Sequence, residues 1–314
     1  MATFKKPTQK NWSGRISGQQ LYMHEKITCS AIEKVTPNSI ALLGYACDEG
    51  VKRNQGRIGA IAGPDAIRAQ LGKMPNHLAP ERKTFDCGTI ECKDGDIEAA
   101  HNSLSLKVSQ LLKQKAIPIV LGGGHDMAYG HYKGLLAHVG KGKTIGIVNF
   151  DAHFDLRNCE DGPNSGTPFY QIAQDCQDED MPFEYLCLGI RPDSNDRILF
   201  EKAIDLNVDF LRNSQFSFHN LKTVTKTIDK FISKVDYIYT TIDLDGFSSA
   251  YAPGVSAASP MGFSPDIVMH CLSILIRSKK LLSLDIAEMN PTYDIDHQTA
   301  KLAASLVHLV MRKL

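Results

Sequence analysis

The sequence lacks an excess of charge of either sign. Lys and Arg together number 35, as do Asp and Glu, so the formal net charge is zero. Such a chain has no electrostatic pull toward nucleic acid or anionic lipid, and neither is expected as a partner. It lacks any apolar run near the ~20 residues of a membrane span, so no membrane association is expected. The opening MATFKKPTQKNWSGR is basic with no apolar stretch behind it, so no secretory leader is expected. Cysteine occurs eight times but never as C-x-x-C, and neither a disulfide framework nor a zinc ribbon is expected. These absences point to a reducing, cytoplasmic setting with cysteine used as a small apolar residue. Internal repeats, low-complexity tracts and a G-x-G-x-x-G fingerprint are also missing, and no nucleotide cofactor is implied.

What is present is globular: 43% hydrophobic and 22% charged residues over 314 positions. Short β-rich runs lie at 40–45, 84–86, 117–121, 145–150, 185–189, 208–211, 237–243 and 281–286. Several are apolar at every residue, the pattern of parallel strands buried on both faces. Helical patterns alternate with them at 64–71, 97–115, 127–138, 221–234, 265–277 and 297–311. The acidic stretch 175–180 reads as a surface loop. The alternation predicts an α/β fold, three-layer α/β/α, around a mostly parallel eight-stranded sheet. With no linker in view, residues 1–35 read as an N-terminal arm and 36–314 as one catalytic domain.

Ligands of parallel sheets sit at the carboxyl ends of the strands. Those positions here carry Gly122-Gly123-Gly124-His125-Asp126, Asp151-Ala152-His153-Phe154-Asp155, Asp243-Leu244-Asp245 and Asp285-Ile286-Ala287-Glu288. Residues two apart in an extended segment point the same way, so Asp151, His153 and Asp155 converge, as do Asp243 and Asp245. With His125 they make four carboxylates and two imidazoles. That is more than one zinc site uses, and its oxygen-rich balance suits Mn²⁺. Four carboxylates brought together without a cation repel one another. Two cations sharing carboxylates would use all six groups and activate a bridging hydroxide.

GGGHD, NFDAHFD, TIDLDGFSSAYAPGVSAASPMG and SLDIAEMNP, in that order, resemble the motif regions of the ureohydrolase (arginase/agmatinase) superfamily, and 59–64 resembles its early G-x-x-x-G-P turn. The resemblance implies an eight-stranded α/β domain and two Mn²⁺ per subunit. It makes His125 and Asp155 ligands of the first ion, His153 and Asp245 ligands of the second, and Asp151 and Asp243 bridges. It implies that Glu288 pairs with a cationic amidine, that Asp155 and Asp245 help pass a proton to the leaving amine, and that copies of the chain assemble as a homo-oligomer. The role of Asp126 stays open, and Asp285 is read as orienting a neighbour.

Ser165-Gly166-Thr167-Pro168-Phe169 departs from the arginase S-G-N and the agmatinase H-G-T forms, with Phe169 where the arginase proton-shuttling histidine would fall. It is similar to the formimidoylglutamase branch, as are residues 44–57 and 189–195. That branch hydrolyses N-formimidoyl-L-glutamate to L-glutamate and formamide, in histidine degradation. A small substrate with two carboxylates needs cations. Arg57 is the first candidate and Arg53 the second, with Lys52 and Arg191 behind them and Asn195 as a reader of a polar group. The alternative is a guanidino-acid hydrolase or another arginase- or agmatinase-type enzyme releasing urea.

Overall fold

The computed structural model describes residues 2–314. Its strands are β1 (Ala2–Lys5), β2 (Thr28–Cys29), β3 (Ile40–Ala46), β4 (Thr84–Cys92), β5 (Ile117–Leu121), β6 (Ile145–Phe150), β7 (Glu184–Ile190), β8 (Asp209–Arg212), β9 (Tyr237–Asp243) and β10 (Leu281–Ala287). Its α-helices are α1 (Met23–Lys26), α2 (Glu49–Arg53), α3 (Gly63–Leu71), α4 (Ile97–Lys113), α5 (Met127–Val139), α6 (Pro168–Asp178), α7 (Arg197–Asp205), α8 (Leu221–Lys234), α9 (Pro265–Arg277) and α10 (Gln298–Lys313).

One sheet runs β1-β4-β3-β5-β10-β9-β6-β7-β8, with β2 also paired to β4. Every pairing is parallel except β1 with β4. All eight expected runs are strands. The central ones are buried along their length because helices cover both faces. Leu42, Val148, Ile242 and Ile286 face a core shared with Ile67 of α3, Leu272 of α9 and Val307 of α10. Leu43, Val120, Ile147 and Tyr239 face the opposite core, with Leu104 of α4, Leu135 of α5 and Ile172 of α6. Among the described residues no helix is long and apolar enough to cross a membrane.

Three features differ from the sequence reading. The sheet has two strands more than the eight expected, both from the first 35 residues: β1 lies antiparallel on β4 and β2 parallel to it. That segment is tied down further by Trp12, whose Nε1 donates to buried Asp86 at 2.9 Å, where Arg68 also donates at 2.9 Å. The stretch 175–180 is not wholly loop, since it begins as the last turn of α6. Phe169, Ile172, Ala173 and Cys176 form the buried stripe of that helix, and its acidic residues take the outer face. Helix α7, missed from the sequence, starts at an Asp196 cap whose carboxylate accepts the Leu199 N–H.

The consequence for function lies in the strand order. β5, β10, β9 and β6 are consecutive neighbours at the centre of the sheet. Their carboxyl ends carry His125, Glu288, Asp243 with Asp245, and Asp151 with His153 and Asp155, so all meet in one place.

Candidate binuclear metal centre and active site

The His125 loop is built by close backbone approach. Gly123 N–H donates to Tyr45 O at 2.7 Å and Gly124 N–H to Cys47 O at 2.8 Å. A Cβ on Gly123 would lie 2.0 Å from Cys47 O, so only glycine fits. The loop drops His125 onto the carboxylates. Its Nδ1 is 2.8 Å from Asp155 Oδ2, 3.0 Å from Asp243 Oδ2 and 3.3 Å from Asp151 Oδ2. Its Nε2 is 2.9 Å from Thr241 Oγ1, which can accept an Nε2 proton and so leave the Nδ1 lone pair facing inward when the ring is neutral.

A second group adjoins the first. His153 Nδ1 is 3.3 Å from both Asp151 Oδ1 and Asp245 Oδ1. The D-x-H and D-x-D spacings act through one device. Asp151 Oδ1 accepts the His153 N–H at 2.7 Å, and Asp243 Oδ1 accepts the Asp245 N–H at 2.8 Å. Each turn locks its first carboxylate while presenting the next donor. Asp155 sits in the left-handed region at φ 50°, which turns its carboxylate back toward His125.

All six expected donors therefore come together, as His125, Asp151, Asp155 and Asp243, and as Asp151, His153 and Asp245. Asp151 sends one oxygen to each group. The donor set fits cations. His125 Nδ1 and Asp245 Oδ1 are buried without a hydrogen bond, although other donor atoms lie 2.8–3.3 Å away. Lone pairs gathered like this need a positive charge among them.

The electrostatics agree. Burial pushes Asp155 up to about 6, helped by the charge of Asp151. Burial, with the charge of Asp243, raises Asp245 well above the usual carboxylate range. Burial works against a charged His125, yet its contacts with Asp151, Asp155 and Asp243 outweigh it and raise the ring. His153 is raised in the same way, with Asp245 and Asp151 overcoming burial.

Glu288 stands beside this cluster at φ 64°, a strained setting for a non-glycine residue. Its N–H donates to Gly123 O at 2.8 Å and its Oε1 accepts the His125 N–H at 2.8 Å. Burial, then the charges of Asp243 and Asp245, raise its carboxyl well above normal, so it has reason to take a cationic partner. Asp285 does orient a neighbour, taking His131 Nδ1 at 2.5 Å and the Tyr239 hydroxyl. Asp126 is buried and holds the Tyr45 hydroxyl at 2.7 Å and His101 at 3.1 Å.

The cluster floors a cavity of about 380 Å³ whose walls include Asn54, Gln55, Arg57, Arg157, Ser165, Ser194 and Asn195. Arg57 is aimed by Nε to Ser256 O at 2.9 Å, Nη2 to Val255 O at 2.8 Å and stacking 3.8 Å from the Tyr293 ring centre. Arg53 does not line the cavity. Its guanidinium is drawn off by Gly95 O, Pro163 O and Glu49. Arg191 does not line it either, being closed on Asp193 at 2.5 Å, and Lys52 is exposed beside Glu49. Asn195 is a wall residue, but its amide is spent on backbone at Phe154, Ala152 and Arg191, so it braces the loop. Phe169 is fully buried, edge-on to His125 at 5.4 Å, with no proton to move. Sequence reasoning missed Arg157. The signal was its position two residues past Asp155, continuing the every-second-residue spacing of Asp151, His153 and Asp155.

A model of the arginase family matches residues 38–312. The chain belongs to the arginase family. Formimidoylglutamase from Aeromonas salmonicida (strain A449) is 41% identical over 302 residues, 95% of each chain. That from Hahella chejuensis (strain KCTC 2396) is 42% identical, over 98% of this chain and 95% of the relative. Formimidoylglutamase from Bacillus subtilis shares the fold with a TM-score of 0.83 at 24% identity, over 96% of this chain and 94% of that one. A Trypanosoma cruzi formiminoglutamase solved with Mn²⁺ shares it at 0.78 and 22% identity, over 88% and 93%. The six donors thus form a candidate metal site within a chain of the arginase family.

Proposed function

We propose that this chain is a binuclear manganese hydrolase that cleaves N-formimidoyl-L-glutamate to L-glutamate and formamide. The observation that carries the reading is its likeness, about 40% identity over nearly its whole length, to proteins named formimidoylglutamase. The cavity is consistent with it. An amidinium between carboxylates suits Glu288, and two substrate carboxylates suit the guanidiniums of Arg57 and Arg157.

His125, Asp155, His153 and Asp245 would each hold one of two Mn²⁺ ions, with Asp151 and Asp243 shared. Bound there, the cations would make hydroxide available near neutral pH. The protein's own groups do the rest. Glu288 fixes the planar amidine and neutralises its charge. Arg57 and Arg157 hold the glutamate end. Oxygen from water adds to the amidine carbon, and the bond from that carbon to the glutamate nitrogen breaks. Asp155 or Asp245 passes to that nitrogen the proton that the attacking water gives up. Formamide and glutamate leave.

The test is a substrate panel on metal-stripped, Mn²⁺-reloaded enzyme, with formamide and urea assayed separately. Formamide and glutamate from N-formimidoyl-L-glutamate are expected. Urea from arginine, agmatine or a guanidino acid, with no formamide, would overturn the substrate assignment.

A further inference from the structure

Strand β6 holds a buried amide that the chemistry above leaves without a task. Asn149 is fully buried and lies two residues before Asp151, so both side chains share one face of the chain. Its Nδ2 donates to Asp151 Oδ2 at 3.0 Å and to the Tyr185 hydroxyl oxygen at 3.0 Å. The amide cannot be turned over, because Oδ1 would then face a carboxylate oxygen. The Tyr185 hydroxyl passes its own hydrogen to Phe154 O at 3.1 Å, so the donor direction runs one way. Tyr185 is itself clamped, its ring stacked on Phe169 at 4.5 Å. Asn149 Oδ1 has no hydrogen bond. A buried acceptor left unpaired is a cost, and here it accompanies a side chain whose two donors are both in use.

The other end of the contact explains why. Asp151 has one donor on each oxygen, Asn149 on Oδ2 and the His153 N–H on Oδ1. Oδ2 faces His125 and Oδ1 faces His153. A carboxylate shared between two cations must keep its plane across both. The His153 N–H alone leaves the group free to swing about that one bond.

We infer that Asn149 is a positioning residue, which sets the tilt of Asp151 so that each oxygen serves one cation, while Tyr185 holds Asn149 in place. The inference deepens the two-cation reading and rests on it. Partners of this kind change metal affinity by about 10- to 100-fold when removed.

The experiment is calorimetric titration of Mn²⁺ into the metal-stripped full chain, for wild type, Asn149→Leu, Tyr185→Phe and the double variant. Circular dichroism and the unfolding midpoint of each stripped protein are recorded alongside. The wild type is read first: if it fails to bind two Mn²⁺, the two-cation reading itself falls, and this inference with it. Given wild-type binding, Asn149→Leu is expected to weaken at least one Mn²⁺ by about 10- to 100-fold. Tyr185→Phe is expected to weaken it several-fold, and the double variant to bind no worse than Asn149→Leu, since Tyr185 acts through Asn149. Affinities within twofold of wild type, with or without a lower midpoint, would reduce Asn149 to a packing residue and overturn the inference. So would losses that simply add in the double variant. Should Asn149→Leu not fold, Tyr185→Phe keeps the ring and its stacking and decides alone.

Discussion

Asp151→Asn is the perturbation that bears most directly on the cluster. Asp151 places Oδ2 with His125, Asp155 and Asp243 and Oδ1 with His153 and Asp245. An amide has one oxygen and no charge, so whichever way it turns, one group loses a donor. The group of Asp151, His153 and Asp245 is the smaller in the structure, three residues against four, and is the one expected to fail. Each cation at a hundred times its Kd stabilises the fold by about 2.7 kcal/mol, so two contribute about 5 kcal/mol. At about 2.1 cal/mol/K per residue, 314 residues unfold with an entropy near 0.66 kcal/mol/K, and saturation with Mn²⁺ raises Tm by about 8 °C. In Asp151→Asn the rise is expected to fall to about 4 °C or less, and turnover to disappear with it. Scanning calorimetry of stripped and Mn²⁺-loaded protein reads both values. A variant with the full rise and wild-type turnover would refute the claim that one carboxylate serves both groups.

Glu288→Gln should leave the Mn²⁺-induced rise in Tm intact while kcat falls by about 10²- to 10³-fold, the scale of losing one charge-stabilising group; near-normal kcat would mean that the amidine is held elsewhere. Asp155, raised to about 6 by burial, carries a pH signature. Its folded form holds the proton more tightly than the unfolded chain, whose value is about 3.9, so its contribution to the stripped protein's stability is full below that value and lost as pH rises through about 6. A cation needs the deprotonated form, so the rise in Tm from Mn²⁺ should be larger at pH 7.5 than at 5.5. An equal rise at both would contradict this. Arg157→Ala and Arg57→Ala should each raise KM by about 10- to 100-fold, the worth of one charged hydrogen bond, with kcat changed far less. An unmoved KM in both would place the substrate carboxylates on other groups.

The strands were legible because burial on both faces makes them apolar at every residue, as in Ile145–Phe150. β1 was not, because Ala-Thr-Phe-Lys is short and mostly exposed and becomes a strand only by pairing with β4. Helix α6 was hidden by its acidic end, although Phe169, Ile172 and Cys176 already mark one face. Five of the six donors were legible because D-x-H-x-D and D-x-D encode convergence in their spacing, and His125 because it follows a run of three glycines at a strand end. The strand order that makes β5, β10, β9 and β6 neighbours is set by helix packing across the sheet and has no local signature.

The arginines show where local reading fails. A guanidinium reaches far, and its destination depends on which acceptors it meets on the way. Arg53 meets the carbonyls of Gly95 and Pro163, and Arg191 meets Asp193. The two carbonyls lie far from Arg53 in the chain and no local spacing reveals them, whereas the partner of Arg191 lies only two residues on. Arg57 meets Val255 O and Ser256 O, almost two hundred residues away, and the same contacts that spend two of its donors aim the remaining face at the cavity. Arg157 is exposed at the opposite condition, with no side-chain bond of its own among the described residues. The rim thus offers one fixed cation and one free one. Fixing the first removes an ordering cost from binding, while the free one can follow the second carboxylate along a flexible chain. Such a pair suits a substrate whose two anionic ends are joined by rotatable bonds, and it makes Arg57 the residue whose loss should cost the more affinity.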